Sequence, residues 1–379
     1  MPALFRTVAH IVDRFFVLVI LAWILGMGLL TAVSPKLIDV AVTDQTAFLS
    51  MDSPSVRASL ASARVWPGEE ISRTAAVTLT RESGLTAADE EYLKSLESWL
   101  NSPSKPDVIS HTSSPSSRPE MKASLGSADG KVRMILISFS SSPFTPPVNK
   151  AVGDIRARIK ATAPEGLSVH VTGTCAVAAD QARAINDSVG RTTYITLILI
   201  VVILLWVYRS PVAVIVPLMT IVVALQVSTS VVALMAQAGM RVSSMVQNFM
   251  IATIFGAGTD YCLFIVSRFK EELGGHPVPP DKRERRRLLA GTVAIVGAVI
   301  ASSAAAVMVA FASQGVARFG LYRTIGPAMV VAAGVTLLAG LTLTPSLMRL
   351  LGKSLFWPGH PERQPMVPHA HMADVEGKL

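Results

Sequence analysis

One acidic residue lies near the middle of an apolar stretch of the chain. Asp260 occurs in the segment MIATIFGAGTDYCLFIVSRF, and no other carboxylate falls near the middle of such a stretch. Inserting a carboxylate at the centre of a membrane helix costs roughly 2.5–3.5 kcal/mol, so acidic residues in this position usually serve a function. Dehydration favours the protonated form of a carboxyl group. Asp260 is therefore predicted to load and release a proton near neutral pH.

Small residues precede Asp260 on the same predicted helix. Ala252 and Gly256 share its face at a spacing of four residues, and Gly258 lies two residues before it. Small side chains let a neighbouring membrane helix approach closely. We expect that approach to dehydrate the carboxyl group and to supply it with partners. Tyr261 follows directly, so an acid and a phenol stand side by side in the sequence.

Other polar residues in the apolar stretches are candidate partners of this acid. Ser302 and Ser303 lie in the fifth stretch, and residues 226–230 of the third stretch contain four polar side chains that could line a wet path. The alternative is that Asp260 only forms a structural hydrogen bond between helices, and that close packing alone explains the glycines.

The helices that must position these residues follow from composition. Of the 379 residues 51% are hydrophobic and only 16% are charged, whereas soluble domains average about a quarter charged. A membrane helix needs roughly 20 mostly apolar residues. Six stretches qualify, about residues 15–32, 193–208, 211–236, 246–267, 290–312 and 325–350. The first could be a cleaved signal peptide, but its length and the lack of an A-x-A cleavage site favour a retained helix.

The basic residues predict the orientation of these helices. With a cytoplasmic N-terminus, the cytoplasmic segments hold 14 Lys and Arg residues, against three in the two short outer loops. Cytoplasmic loops carry an excess of such residues, so both termini are predicted to be cytoplasmic. The run KRERRR (282–287) could also bind nucleic acid or lipid head groups. As a cytoplasmic loop it needs no further explanation, and no nucleic-acid partner is expected.

The segment between the first two apolar stretches, residues 36–191, is predicted to be a domain outside the cytoplasm. It contains 17 basic and 17 acidic residues, so it carries no strong field of either sign. Thr86 with Asp89 predicts a capping box, and Asp129-Gly130 predicts a hairpin turn. The predicted helices are 53–66, 87–100, 148–161 and 175–190, and the predicted strands are 73–80, 107–111, 121–127, 131–140 and 167–171. This order suggests an α+β, ferredoxin-like split β-α-β sheet with helices on one face.

Motifs for enzymatic chemistry are weak in this sequence. The two cysteines, Cys175 and Cys262, provide neither a disulfide scaffold nor a zinc cluster, and His111 and His170 have no ligand at metal-binding spacing. Residues 352–354 (GKS) end like a phosphate-binding loop, but Leu347 stands where its first glycine belongs. We therefore predict no enzyme, no cofactor and no metal site.

Four segments together make the sequence recognisable. They are GAGTDYCLFIVSRFKEEL (256–273), VTGTCAVAADQARAIND (171–187), VYRSPVAVIVPL (207–218) and LTPSLMRLLGKSLFWP (343–358). With the order of one helix, an outer domain and five helices, the chain resembles the N-terminal half of the MMPL (mycobacterial membrane protein large) family of the resistance-nodulation-division (RND) superfamily. The resemblance implies proton-motive-force-driven export of lipids or other hydrophobic molecules. It also implies that Asp260 and Tyr261 form a proton relay, with Ser303 near it.

The resemblance also predicts the organisation of the protein. The expected parts are a first helix with a short cytoplasmic N-terminus (1–35), a porter-type extracytoplasmic domain (36–191), helices two to six (192–352) and a cytoplasmic tail (353–379), in a bacterial inner membrane. Family members typically contain two such halves whose Asp-Tyr pairs face each other. This chain is therefore expected to pair with a copy of itself or with a second MMPL-like half, or to be a fragment of a longer protein. A non-transporting accessory or lipid-sensing subunit is the alternative function.

Overall fold

The architecture described here comes from a computed structural model, which describes residues 2–42, 48–49, 52–65, 73–117, 124–275 and 280–358. The chain divides into two compact units. The membrane unit comprises residues 1–41 and 194–379, and the sheet unit comprises residues 42–193.

The membrane unit contains long apolar helices. Its helices are α1 (Pro2–Val33), the short α2 (Leu37–Val40), the C-terminal part of α6 (Thr174–Tyr208), α7 (Pro211–Gln237), α8 (Val246–Gly274), α9 (Lys282–Ser313) and α10 (Gly320–Leu351). Short 3-10 turns follow α9 at Gln314–Val316 and α10 at Gly352–Phe356. All six long helices are long and apolar enough to cross a membrane, which confirms the six predicted spans. The second predicted span and the helix predicted before it form the single helix α6.

The first helix starts earlier than the predicted span. α1 is helical from Pro2, and its backbone departs from helical geometry at Phe15, where the predicted apolar stretch begins. The preceding segment buries one face at a spacing of three to four residues, made by Phe5, Ala9 and Val12. The hydropathy of this segment does not predict a membrane span, because its apolar residues occupy only one face, about one residue per helical turn.

α10 is the helix against which most of the membrane unit packs. It contacts α1, α7, α8 and α9, and small residues permit the close approach. A Cβ atom added at Gly340 would lie 3.4 Å from Tyr261 Cβ, and one added at Gly326 would lie 2.6 Å from the carbonyl oxygen of Phe311. At Gly297 of α9, an added Cβ would lie 3.0 Å from Cδ1 of Phe5. Small residues at such crossings are typical of membrane helix packing.

The sheet unit combines a four-stranded antiparallel sheet with helices. Its elements are α3 (Pro54–Val65), β1 (Thr74–Thr80), α4 (Ala87–Leu100), β2 (Ile109–Ser113), β3 (Val132–Phe139), α5 (Pro146–Thr162), β4 (Ser168–Thr172) and the N-terminal part of α6. The strand order is β2-β3-β1-β4. Val77 of β1 pairs with Ile135 of β3 and with Val171 of β4, which places apolar side chains opposite one another. Ile135, Ile155 of α5 and Leu96 of α4 belong to one buried core.

The start of α4 carries the predicted capping box. The Thr86 hydroxyl accepts a hydrogen bond from the Asp89 amide at 3.3 Å, and the Asp89 carboxylate accepts one from the Thr86 amide at 2.8 Å. Arg81 donates to both carboxylate oxygens, at 2.7 and 2.8 Å. The Arg81 guanidinium, together with the Thr86 amide and hydroxyl, holds the pKa of the buried Asp89 carboxyl well below its usual range.

The predicted hairpin around Asp129-Gly130 is short, and its first side is not a regular strand. The turn is present, with Gly130 at φ +67°, where glycine is favoured, and with Ser127 Oγ donating to Asp129. On its N-terminal side, residues 121–123 lie outside the described residues. Residues 124–127 are not a regular strand, but they pair with the start of β3. Gly126 bridges to Arg133, and backbone hydrogen bonds run from Ser127 N to Val132 O at 3.1 Å and from Met134 N to Leu125 O at 2.8 Å. The regular neighbours of β3 in the sheet are β1 and β2.

Candidate functional site

Helix α8 has two faces of different character. One face is buried among its neighbours, and Met250, Ile254 and Ile265 on it are fully covered. The other face is not covered by any described residue. Its exposed residues follow one another at a spacing of three or four: Phe249, Ala252, Gly256, Asp260 and Phe264. We call this set the open face of α8.

Asp260 lies in the middle of the open face. Its side chain is exposed, and within the described part of the chain it forms no hydrogen bond or ion pair. Aromatic rings flank it along the helix, since Phe264 is 56% exposed one turn later and Phe249 is 50% exposed three turns earlier. The carboxyl group therefore stands in a band of apolar surface that no described residue covers.

Tyr261 lies on the buried face, although it follows Asp260 directly. Successive residues on a helix are about 100° apart, so neighbours in sequence point in different directions. Tyr261 is only 4% exposed and packs against Gly340 of α10. No hydrogen bond joins Asp260 to Tyr261 among the described residues, and the two side chains lie in different environments.

The two glycines before Asp260 also lie on different faces. A Cβ atom at Gly258 would lie 3.1 Å from Cγ1 of Ile221 on α7 and 3.3 Å from Cγ2 of Thr336 on α10. At Gly256, a Cβ atom would meet nothing within 4 Å. Helices α7 and α10 thus approach α8 closely at Gly258, whereas no described residue approaches it at Gly256.

The serines of α9 differ in their hydrogen bonding. Ser302 is exposed, and its hydroxyl donates to the carbonyl oxygen of Val299 in its own helix at 2.8 Å. Ser303 is also exposed and makes no hydrogen bond within the described residues. Of the two candidates, only Ser303 retains a hydroxyl free to serve another group. The structure records no contact between Ser303 and Asp260.

The polar residues of α7 do not form one continuous path. Gln226 is exposed and donates to the Thr31 hydroxyl of α1 at 3.2 Å. Ser228 is fully buried, and its hydroxyl has no hydrogen-bond partner in the described structure. These side chains therefore point to separate surroundings, and Gln226 serves the contact between α7 and α1.

A buried polar cluster on the other side of α8 was not predicted from the sequence. The Thr344 hydroxyl of α10 lies 3.1 Å from the Thr220 hydroxyl of α7 and 3.2 Å from the Cys262 sulfur. All three side chains are buried. Thr220 also donates to the carbonyl oxygen of Val216, one turn earlier in its own helix. Each residue alone is unremarkable in a membrane helix, so only the packing of the three helices makes them a cluster.

The fold and the site define a class of protein. Six long apolar helices make this chain a multi-pass membrane protein, and its membrane unit carries a carboxyl group on an open apolar face. Comparison with known families then identifies it, because residues 47–371 match the MMPL family. The chain belongs to the MMPL family.

Several curated proteins are similar to nearly the whole chain. The probable transport protein MmpL12 of Mycobacterium tuberculosis is 32% identical over 352 residues, which cover 92% of this chain and 30% of MmpL12. The acyltrehalose exporter MmpL10 of the same species is 32% identical over 311 residues, covering 81% of this chain and 30% of MmpL10. The putative membrane protein ActII-3 of Streptomyces coelicolor is 31% identical, with coverages of 91% and 46%. The chain thus spans less than half the length of these relatives.

Proposed function

We propose that this chain is one half of a proton-driven exporter of lipids or other hydrophobic molecules. The observation that carries the proposal is the position of Asp260 in the middle of the open face of α8. A carboxyl group that faced lipid would cost roughly 2.5–3.5 kcal/mol. A carboxyl group at a protein interface can instead exchange protons with water and with side chains across that interface. The open face is then the surface on which the proton relay is assembled.

The second half of the relay comes from another MMPL-like half or from a copy of this chain. Gly256 leaves room for a helix to approach beside Asp260, while Gly258 is already occupied by α7 and α10. The relatives are more than twice as long as the matched region, which supports a partner half of the same kind. In the paired protein, covering the open face replaces lipid around Asp260 and brings hydrogen-bonding groups to it.

The relay is proposed to include Tyr261 and Ser303 as well as Asp260. Tyr261 is buried beside α10 and follows Asp260 directly in α8. A change in the protonation of Asp260 that moves α8 therefore also changes the packing of Tyr261 against α10. Ser303 retains a free hydroxyl on an exposed face of α9. Protonation of Asp260 removes a charge from the interface, which favours closer packing of the two halves. Deprotonation reverses this, and the two states provide the alternation that transport needs.

The sheet unit is proposed to be a porter-type, ferredoxin-like domain outside the cytoplasm. The order β1-α4-β2 followed by β3-α5-β4, with the sheet order β2-β3-β1-β4, supports the split β-α-β arrangement. The segments on the same side of the membrane as the N-terminus hold 14 Lys and Arg residues, against three in the two short outer loops. This excess supports cytoplasmic termini. We place the protein in a bacterial inner membrane, with lipids or other hydrophobic molecules as cargo. The exporter relative named for acyltrehaloses supports a lipid cargo.

The relay is tested by replacing Asp260 with Asn, which keeps the shape and removes the titratable proton. Proton-driven export in membrane vesicles should fall to background at matched protein levels, and an unchanged rate would refute the relay. Ser303→Ala should reduce export. Ser302→Ala is its matched control and should leave export unchanged, since the Ser302 hydroxyl is already bonded within its helix.

A non-transporting, lipid-sensing subunit is the second candidate function. The open face of α8 favours it equally, because a sensor also needs a surface for a partner. The purified chain, reconstituted alone and with a candidate partner half, discriminates the two. Proton flux that requires Asp260 in either preparation supports the exporter, and lipid-dependent partner binding without any flux supports the sensor.

A further inference from the structure

A charge cluster joins three helices of the membrane unit at one end. Oδ1 of Asp13 on α1 accepts hydrogen bonds from Nε of Arg286 on α9, at 3.2 Å, and from Nη1 of Arg349 on α10, at 2.7 Å. We call these three residues the Asp13 cluster. Two guanidinium groups share one oxygen of a single carboxylate, so the cluster carries one positive charge in excess.

The Asp13 cluster lies where the apolar parts of its helices end. Asp13 comes two residues before the kink of α1 at Phe15, Arg286 comes four residues before the apolar stretch that starts at residue 290, and Arg349 is in the last turn of α10. This is the level at which lipid head groups meet a membrane protein. A water-sized cavity of about 10 Å³ adjoins the cluster, with apolar walls formed mainly by Ala9, Val12, Leu289, Val293 and Pro345.

Donors of both arginines remain available. The side chain of Arg286 is 40% exposed and uses only Nε in the cluster, which leaves its two terminal nitrogens free within the described structure. Arg349 is 14% exposed and is held rigidly, because its guanidinium also stacks 4.3 Å above the ring of Phe16. Guanidinium groups that are already held by Asp13 lose little side-chain entropy when they bind an anion.

The surroundings of the cluster are basic. α9 begins with the run KRERRR (282–287), and the Nε atom of Arg285 is buried without a hydrogen-bond partner in the described structure. The acidic residues at this end of α9 are Asp281, which accepts from the Glu284 amide as the helix cap, and Glu284 itself. They are outnumbered by the basic residues, so the local field favours an anion.

We propose that the Asp13 cluster binds the phosphate group of an anionic glycerophospholipid through Arg286 and Arg349. A phosphodiester carries one negative charge, which matches the excess charge of the cluster. Guanidinium groups bind phosphate oxygens in a bidentate manner. Basic pockets between membrane helices are suited to phospholipid head groups, and the adjoining water-sized cavity leaves the glycerol and the acyl chains outside it, along the apolar surface of the helices. This lipid is a bound component that ties α1 to α9 and α10, distinct from the exported cargo.

The test uses the purified full chain in a neutral detergent. Phosphatidylglycerol, phosphatidylcholine of the same acyl chains and inorganic phosphate are titrated separately, and the thermal unfolding midpoint gives an apparent dissociation constant for each. We expect phosphatidylglycerol to raise the midpoint at concentrations at which the other two have no effect. Arg286→Gln should weaken phosphatidylglycerol binding about five-fold, equivalent to ~1 kcal/mol. Arg283→Gln removes an exposed charge from the same helix and should change it less than two-fold.

Asp13→Asn separates lipid binding from simple helix packing. This variant breaks the ion pairs but keeps both guanidinium groups, so it should bind phosphatidylglycerol at least as tightly as the unmodified chain. It also keeps the test decisive if Arg286→Gln fails to fold. A loss of binding in Asp13→Asn would show that the cluster only holds the helices, and equal losses in Arg286→Gln and Arg283→Gln would show a diffuse surface charge. Equal effects of inorganic phosphate or phosphatidylcholine would also overturn the assignment to an anionic lipid.

Discussion

Replacing Gly258 with alanine should destabilise the membrane unit, whereas the same change at Gly256 should not. The two glycines are two residues apart on α8 and lie on opposite sides of it. The new methyl group at position 258 would lie 3.1 Å from Cγ1 of Ile221 and 3.3 Å from Cγ2 of Thr336. At position 256 it would meet nothing within 4 Å.

The magnitude follows from two opposing terms. Alanine in place of glycine within a helix stabilises it by roughly 0.5–1 kcal/mol, and this term is common to both variants. Overpacking a filled core costs about 1–3 kcal/mol and applies at position 258 alone. Ile221 and Thr336 are each 1% exposed, and the Thr336 hydroxyl is bonded to the carbonyl oxygen of Ala332, so the added methyl group meets two buried side chains. The two variants should therefore differ by about 1–3 kcal/mol, with Gly258→Ala the less stable.

The assay is unfolding of the full chain in mixed micelles by increasing fractions of dodecyl sulfate, followed by circular dichroism. Equal free energies of unfolding for the two variants, or a lower value for Gly256→Ala, would refute the packing argument. The same pair then tests the open face of α8. Gly256→Ala should reduce co-purification with a partner half or a differently tagged copy, even though the single chain is unimpaired.

Three further outcomes are expected. The sheet unit should lose stability as the pH falls below about 4, because the unfolded chain protonates Asp89 before the folded one does, and Asp89→Asn should flatten this dependence in denaturant titrations at pH 3–6. Trp23→Phe removes a 2.9 Å hydrogen bond to Thr342 and should cost ~0.5–1.5 kcal/mol in the micelle assay, whereas Trp206→Phe, at a 79% exposed site, should cost less. The fully buried Cys262 should react with a membrane-permeant maleimide only after denaturation, as mass spectrometry would show.

Local patterns gave reliable predictions where neighbouring residues supply both partners of an interaction. The capping box of Thr86 and Asp89 lies within four residues, and the turn at Gly130 depends on its own φ angle. The strand predicted over residues 121–127 is only partly confirmed: residues 124–127 pair with the start of β3 but are not a regular strand. The other neighbours of β3 depend on distant segments, and they are β1 and β2.

The sequence by itself determined the number of membrane helices, the family and the acid in the apolar stretch, since hydropathy, motif spacing and composition are properties of the residues in order. Only the tertiary structure decided that Asp260 and Tyr261 lie in different surroundings and that Gly258 is packed while Gly256 is open. It likewise brought Asp13 to the two arginines of distant helices. The reason is that helix geometry fixes which residues share a face, whereas the packing of the neighbouring helices decides which face is buried.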